Sequence, residues 1–476
     1  MIGLVQNEDL YNYDIRSILQ AFFENEKIVE GAFETRFQLK VEYGREMTKV
    51  VLIEESKFEI KRTLEGDYTK KETFKNPFKL LIYDILSEYT KKSLPWGTMT
   101  GIRPTKVALK LLEEDTLEES ILEHYQKEYG TTKQKAMICL EVAKKEKSLL
   151  EKVQYDDGYS LYIGIPFCPS TCLYCSFTSY PIGIYKDKID SYLCALEKEL
   201  KFVAKSQKHK KLQTIYMGGG TPTSVSAEHL KRILNRINQE FDLSHLLEFT
   251  VEAGRPDSIT EDKLLALKEG GVKRISINPQ TMNDATLKLI GRNHTSEMVK
   301  KTFQLAKSLG FENINMDMIT GLPLEGINEV KHTISEITAL KPDSITVHSL
   351  ALKRAANLTA KRKEFESMIK GSTNEMLEVV DHSARLLGLE PYYLYRQKNI
   401  PGNLENVGYA MPGKECIYNI LIMEEKQDII AVGAGTSSKF VFPDENRIER
   451  VENVKNVDHY MERIDEMIKR KQAFLS

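Results

Sequence analysis

From residue 159 onward, short apolar runs alternate with stretches of helical period. The runs cover residues 159–165, 212–217, 246–252, 273–279, 312–318 and 343–349. Helical segments are predicted near 187–206, 226–240, 260–269, 283–309 and 326–339. Strands separated by helices imply a parallel sheet with right-handed crossovers, hence an α/β fold. Six such units suit a partial or complete barrel better than an open nucleotide-binding sheet. The glycines after the second run read Gly218-Gly219-Gly220-Thr221-Pro222, without G-x-G-x-x-G spacing.

The flanks follow other patterns. Residues 1–5 predict a strand, 10–23 a helix, and 37–43 with 48–53 a hairpin turning near Gly44. Residues 76–89 and 106–112 return to helix, and a Lys/Glu-rich helical stretch at 133–152 leads onward. This divides the chain into an α+β domain at 1–150, a β/α domain at 151–355 and a mixed α/β C-terminal domain at 356–476. Within the last, 374–387 predicts a helix ended by Gly388 and 391–395 a strand. Gly-rich loops and a final helix complete 397–476.

Composition narrows the function. The 476 residues are 41 % hydrophobic and 29 % charged, and the formal net charge is −2. That balance gives no overall attraction to nucleic acid or anionic membranes. The basic run Lys208-His209-Lys210-Lys211 reads as a solvated loop. No run approaches the roughly 20 apolar residues of a membrane span. The N-terminus lacks the basic-then-apolar order of a secretory signal, so a cytoplasmic location is expected. Three of the six cysteines fall within eight residues. Such clustering favours a metal site in a reducing compartment over disulfides.

Those three are Cys168, Cys172 and Cys175, spaced C-x3-C-x2-C on the loop leaving the first run. Three thiolates on one loop can converge on a cluster. Structural zinc and electron-transfer clusters need a fourth ligand. The next cysteine, Cys194, lies within a predicted helix. A zinc loop completed by a distant His remains the alternative. Three cysteines leave one iron open, and an open position points to catalysis.

The C-x3-C-x2-C motif with Tyr174 before its last cysteine resembles the signature of the radical S-adenosylmethionine (SAM) superfamily. The stretch Tyr162-Ile163-Gly164-Ile165-Pro166-Phe167-Cys168 resembles the oxygen-independent coproporphyrinogen III oxidase family, over roughly residues 159–440. The resemblance implies a radical SAM partial (β/α)6 barrel. It also implies a [4Fe–4S] cluster on Cys168, Cys172 and Cys175, with SAM at the open iron. Cleavage of SAM to a 5′-deoxyadenosyl radical follows from it. In β/α barrels the active site lies at the C-terminal strand ends. There the family pattern places Tyr162, Tyr174, Gly219, Gly220, Thr221, Glu252, Gln280, Arg292, Asp317 and Ala351 around SAM or a second SAM-like ligand. Tyr162 counts among the catalytic candidates with the cysteines.

Leu94-Pro95-Trp96-Gly97, residues 100–106 and residues 403–409 resemble the HemZ-type branch, coproporphyrinogen dehydrogenase. Trp96 reads first as a packing residue, joining the N-terminal domain to the barrel. Arg103 and Lys106 are candidates for substrate carboxylates. The branch implies a porphyrinogen substrate, decarboxylated from coproporphyrinogen III to protoporphyrinogen IX. It also implies an electron donor such as flavodoxin or ferredoxin. Ser176-Phe177 after the motif is closer to the HemW branch of haem carriers, for which His348 and Cys416 are candidate ligands. A radical methyl transfer is the third reading.

Overall fold

The structure is a computed structural model. It describes all residues except 24–25, 32–34, 55–57, 102, 155–156, 352–367, 369–370, 398–402 and 476. The domain boundary expected at 355–356, and Ile102 of the upstream motif, lie outside the described residues. Two compact units are present. One comprises Met1–Lys144, Ser372–Asn374 and Leu394–Glu405; the other comprises Lys145–Gly371, Glu375–Tyr393 and Asn406–Ser476.

The first unit holds β1 (Ile2–Gln6), α1 (Asn12–Phe22), β2 (Ile28–Glu30), β3 (Gln38–Glu42), β4 (Met47–Glu54) and β5 (Phe58–Glu65). Then come α2 (Lys71–Thr90), α3 (Thr105–Glu113), α4 (Glu118–Tyr129) and most of α5 (Lys133–Leu150). The sheet order is β2-β1-β3-β4-β5. β3 and β4 form the expected antiparallel pair, while β5 and α4 were not expected. Its core is aromatic, with Phe74 stacked on Phe78 at 5.4 Å and Phe23 tilted against Phe37 at 5.2 Å. Each such ring, fully buried, stabilises by roughly 1.5–3 kcal/mol. Trp96 is fully buried and its Nε1 donates to Glu405 at 2.7 Å. Lys135 reaches the other Glu405 oxygen at 2.5 Å. These partners of Trp96 belong to its own unit.

The second unit is built on β6 (Gly158–Ile165), β7 (Phe167–Cys168), β8 (Tyr180–Pro181), α6 (Ile182–Tyr185), α7 (Ile189–Ser206), β9 (Lys211–Gly219), α8 (Ala227–Glu240), β10 (Glu248–Gly254), α9 (Glu261–Glu269) and β11 (Arg274–Ile277). It continues with α10 (Asp284–Leu289), α11 (Ser296–Ser308), β12 (Ile314–Thr320), α12 (Ile327–Leu340), β13 (Ser344–Ser349) and α13 (Asn374–Leu386). Most of β14 (Glu390–Arg396, the first unit holding its last three residues) and of β15 (Glu405–Ala410, the first unit holding Glu405) follow, then α14 (Ile417–Glu424), β16 (Asp428–Val432), β17 (Ser437–Phe442), β18 (Arg447–Glu452), α15 (Val457–Glu462) and α16 (Ile464–Leu475). The sheet order is β14-β15-β13-β12-β11-β10-β9-β6-β16-β17-β18. The six expected strands form one parallel series from β6 to β13, so the α/β expectation holds.

Two expectations are corrected. The helix expected over 283–309 is two helices. Gly291 adopts φ +78° after α10, and the Thr295 side chain caps α11 by accepting from the Met298 N–H. The break turns Arg292 and His294 into buried positions. The segment 397–476, expected as loops and a helix, carries β15 to β18. These are five or six residues each, too short to show a period, and long-range pairing completes them. β16 adds a seventh parallel strand beside β6.

Strand alternation places polar side chains on one face. Ser160, Thr214, Thr250, Arg274, Ser276, Asn315, Ser344 and Thr346 are all buried there. Register pairs Ser160 with Thr214, Thr250 with Arg274, and Ser276 with Asn315. The opposite positions, such as Leu161, Ile215, Val251, Ile275, Met316 and Ile345, supply apolar core.

Candidate active site

The cysteine loop leaves β6 through Pro166. Cys168 and Cys172 are 9 % and 8 % exposed, and Cys175 somewhat more. Cys168 ends β7, and a tight turn joins the other two, the Cys175 N–H donating to the Cys172 carbonyl at 3.1 Å. Leu173 N–H donates to Ile290 O at 2.9 Å, and Ser170 Oγ to Gly291 O at 3.0 Å. The loop is thereby moored to the break between α10 and α11. Burial pushes the Cys168 thiol up to about 11 and raises Cys175 as well. A thiolate here therefore needs a compensating positive charge.

The glycine run after β9 lies against this loop. Gly220 N–H donates to Ile165 O at 2.8 Å, and Thr221 N–H to Phe167 O at 2.7 Å. A Cβ on Gly220 would stand 2.6 Å from Phe167 O, and one on Gly218 would stand 2.8 Å from the Glu252 carboxyl. Gly219 adopts φ +105°, so the run holds three positions that a side chain would disturb. Thr221 Oγ1 lies 3.5 Å from Cys168 Sγ.

Glu252, two residues before the end of β10, is half-buried. It accepts from Tyr216 Oη at 2.7 Å, and burial, with the nearby Asp317 charge, pushes its carboxyl up to about 7. Tyr216 stacks on Tyr162 (6.0 Å) and on Tyr418 (4.6 Å), giving a wall of three tyrosines. Gln280 sits in the left-handed region at φ +67°, bridged to β12 through Asp317 O and Ile319 N. For a non-glycine residue that conformation stores strain, which such sites often carry. Arg292 donates to Asn278 O at 2.5 Å and Pro279 O at 3.2 Å. Asp317 accepts from Asn315 at 2.6 Å and faces His348 at 4.0 Å. Gln280 Oε1, Asn278 Oδ1 and Arg292 Nε are buried without a hydrogen-bond partner among the described residues. Burial beside Arg292 pushes His294 down to about 4, keeping it neutral.

Hydrogen bonds or stacking thus tie Thr221 to Cys168, Glu252 through Tyr216 to Tyr162, and Gln280 to Asp317. Tyr174 packs with the Leu287, Ile290 and Leu350 cluster and feels the Arg292 charge. Ala351 lies just past β13 with no described contact to the others. Cys194 is exposed on α7 beside Arg232, and Cys416 is fully buried, its thiol donating to Glu248 at 3.2 Å. Lys210 pairs with Asp428, and Lys211 bonds Gln154. Arg103 and Lys106 belong to the first unit. Sequence reasoning missed Arg255, Tyr216, Tyr418, Asn278 and His294. Arg255, three residues past Glu252, was open to the same strand-exit argument. Tyr418 carried no local signal.

The pattern of the Radical SAM superfamily matches residues 162–337. The chain is 41 % identical to the oxygen-independent coproporphyrinogen-III oxidase-like protein HemZ of Bacillus subtilis (strain 168), over 86 % of this chain and 83 % of that protein. It is 34 % identical to the heme chaperone HemW of the same organism, over 64 % of this chain and 76 % of that one. Coproporphyrinogen III oxidase (HemN) from Escherichia coli, a radical SAM enzyme, shares the fold at TM-score 0.53 and 22 % identity, over 67 % of this chain and 72 % of that one. The chain belongs to the radical SAM superfamily, in the family of oxygen-independent coproporphyrinogen-III oxidase-like proteins.

That superfamily uses a [4Fe–4S] cluster and SAM. The residues present fit both. Among the described residues no three His, Cys, Asp or Glu side chains are grouped to grip a single metal ion. One zinc would draw three thiolates to about 3.8 Å of each other, given bonds of about 2.3 Å. Three buried or half-buried thiols carried by one loop are the donor set that a [4Fe–4S] cluster would take. The side-chain-free glycine run and the unpartnered Gln280, Asn278 and Arg292 atoms suit a polar ligand beside such a cluster. Among the described residues no helix is long and apolar enough to cross a membrane.

Proposed function

We propose that this protein is a radical SAM enzyme that decarboxylates coproporphyrinogen III oxidatively to protoporphyrinogen IX. The observation that carries the reading is the three-cysteine loop set against a glycine run and buried, unpartnered polar groups. The HemZ-like relative, similar over most of both chains, supplies the substrate class. In this reading Cys168, Cys172 and Cys175 hold the cluster. Tyr162, Tyr174, Gly219, Gly220, Thr221, Glu252, Gln280, Arg292, Asp317 and Ala351 surround SAM, with room in the pattern for a second molecule. When bound, cluster and SAM supply a 5′-deoxyadenosyl radical that takes one hydrogen atom from a propionate β-carbon.

The chain's own contribution is placement. The glycines let backbone approach the amino acid end of SAM. Glu252, Gln280 and Arg292 offer fixed polar contacts, and the tyrosine wall shields one side from water. Each propionate that has lost its hydrogen atom releases CO2 and passes one electron to an acceptor, leaving a vinyl group. A flavodoxin or ferredoxin is the proposed donor to the cluster. The six free thiols fit a cytoplasmic setting. The region 356–476 is read as closing the site, since Tyr418 stacks on Tyr162 at 6.1 Å.

A second reading, a haem carrier, draws on the HemW relative. Of its two candidate ligands, Cys416 is engaged with buried Glu248, which leaves His348. Anaerobic incubation of reconstituted protein with SAM, reductant and coproporphyrinogen III decides between the readings. The expected products are 5′-deoxyadenosine, CO2 and protoporphyrinogen IX. Deoxyadenosine without CO2 would overturn the substrate, and stoichiometric haem binding without decarboxylation would favour the carrier.

A further inference from the structure

We propose that Arg255 is a positioning residue that raises the reduction potential of the cluster by donating a hydrogen bond to the Cys172 thiolate. This rests on the reading of Cys168, Cys172 and Cys175 as cluster ligands. Arg255 is 2 % exposed, at the exit of β10. Asp257 grips it in a forked pair, Nε to Oδ1 at 2.9 Å and Nη2 to Oδ2 at 2.6 Å. That pairing fixes the guanidinium plane and leaves Nη1 directed at the cysteine loop. Nη1 donates to Ser170 O at 3.0 Å and Ser170 Oγ at 2.8 Å, and it lies 3.7 Å from Cys172 Sγ.

A buried guanidinium with a carboxylate on one edge needs further acceptors on the other. Here all of them lie on the cluster loop. Arg255 therefore performs two tasks through one group. It holds the loop at Ser170, whose hydroxyl in turn bonds Gly291 O. It also places positive hydrogen-bonding density at one cysteine sulfur. Hydrogen bonds to ligand sulfurs stabilise the more negatively charged, reduced cluster and raise its potential. Reduction adds one electron from an external reductant and breaks no bond in the protein.

The test is a redox titration of anaerobically reconstituted holoprotein with dithionite, followed by electron paramagnetic resonance without substrate. Arg255→Gln removes the cation and the fork. It is expected to lower the equilibrium constant for reduction about tenfold, about 59 mV for a one-electron couple. Arg255→Lys keeps the charge without the fork and should fall between. Ser170→Ala removes only the hydroxyl contacts to Arg255 and Gly291, leaving the bond from Arg255 to the Ser170 carbonyl, and should change the constant by less than about threefold. Coinciding potentials in wild type and Arg255→Gln would overturn the proposal, as would an equal shift in Ser170→Ala. Should Arg255→Gln fail to hold iron, Arg255→Lys decides, and a wild-type potential there overturns the proposal. A wild-type protein that assembles no [4Fe–4S] cluster sinks the cluster reading itself, an outcome seen before any variant is made.

Discussion

Along β3 the side chains run Gln38, Leu39, Lys40, Val41, Glu42, and along β10 they run Glu248, Phe249, Thr250, Val251, Glu252. The written pattern is the same. In β3 the apolar positions are buried and the polar ones face water to varying degrees. In β10 Glu248, Thr250, Phe249 and Val251 are all buried, and Glu252 is half-buried near the strand exit. One sheet uses alternation to separate core from solvent. The other encloses both faces, one apolar and one polar, and its polar face leads to the cysteine loop. A buried polar face costs stability unless its groups are satisfied. That cost is typical of a sheet retained for chemistry rather than for packing.

The sharpest way to break this comparison is to make both polar faces apolar. Arg274 is fully buried and donates to Ser344 Oγ at 3.3 Å, with Glu248 close enough to feel its charge. Glu248 already accepts from Thr250, Cys416 and the Ile417 N–H. Arg274→Leu leaves that carboxylate without its neighbouring cation and should destabilise by about 3–5 kcal/mol. Lys40→Leu in β3 should stay within about 0.5 kcal/mol. Urea unfolding followed by circular dichroism reads both. Equal costs would show that the two polar faces do not differ as described.

The six parallel strands from β6 to β13 were legible in the sequence because each carries its own apolar run and is followed by a helix of another period. Cys168, Cys172 and Cys175 were legible because their spacing is local. What escaped depended on distant partners. β16 is five residues that become a strand only beside β6. Tyr418 matters only through stacking on Tyr162 and Tyr216. The split at Gly291 did carry a local signal that sequence reasoning passed over: residues 291–297 hold no apolar position, and Thr295 supplies a second start.

A smaller effect separates a crowded glycine from an open one. Gly220→Ala sets a Cβ 2.6 Å from Phe167 O and 2.9 Å from Ile165 O, both rigid backbone. The cysteine loop has to shift, at about 1–3 kcal/mol. Reconstituted iron content should fall in proportion to the misplaced thiolates. Gly101, in the first unit, has nothing within 4 Å of its Cβ position, and Gly101→Ala should leave thermal stability within about 0.5 kcal/mol. Normal iron loading in Gly220→Ala would mean that the glycine run is only a turn.

The smallest effect is a pH dependence peculiar to the polar face. Burial, with Asp317, raises Glu252 to about 7 from an ordinary 4.5. Between those values the folded protein holds a proton that the unfolded chain has released, so stability falls as pH rises through that window. Below the ordinary value both states are protonated and nothing is lost. Glu252→Gln mimics the neutral form. It should match wild type near pH 4.5 and exceed it near pH 8, by on the order of 1 kcal/mol because the carboxyl is partly exposed. A constant difference between the two proteins across that range would show that Glu252 is ionised throughout. Its bond to Tyr216 would then join two groups that do not share a proton equilibrium.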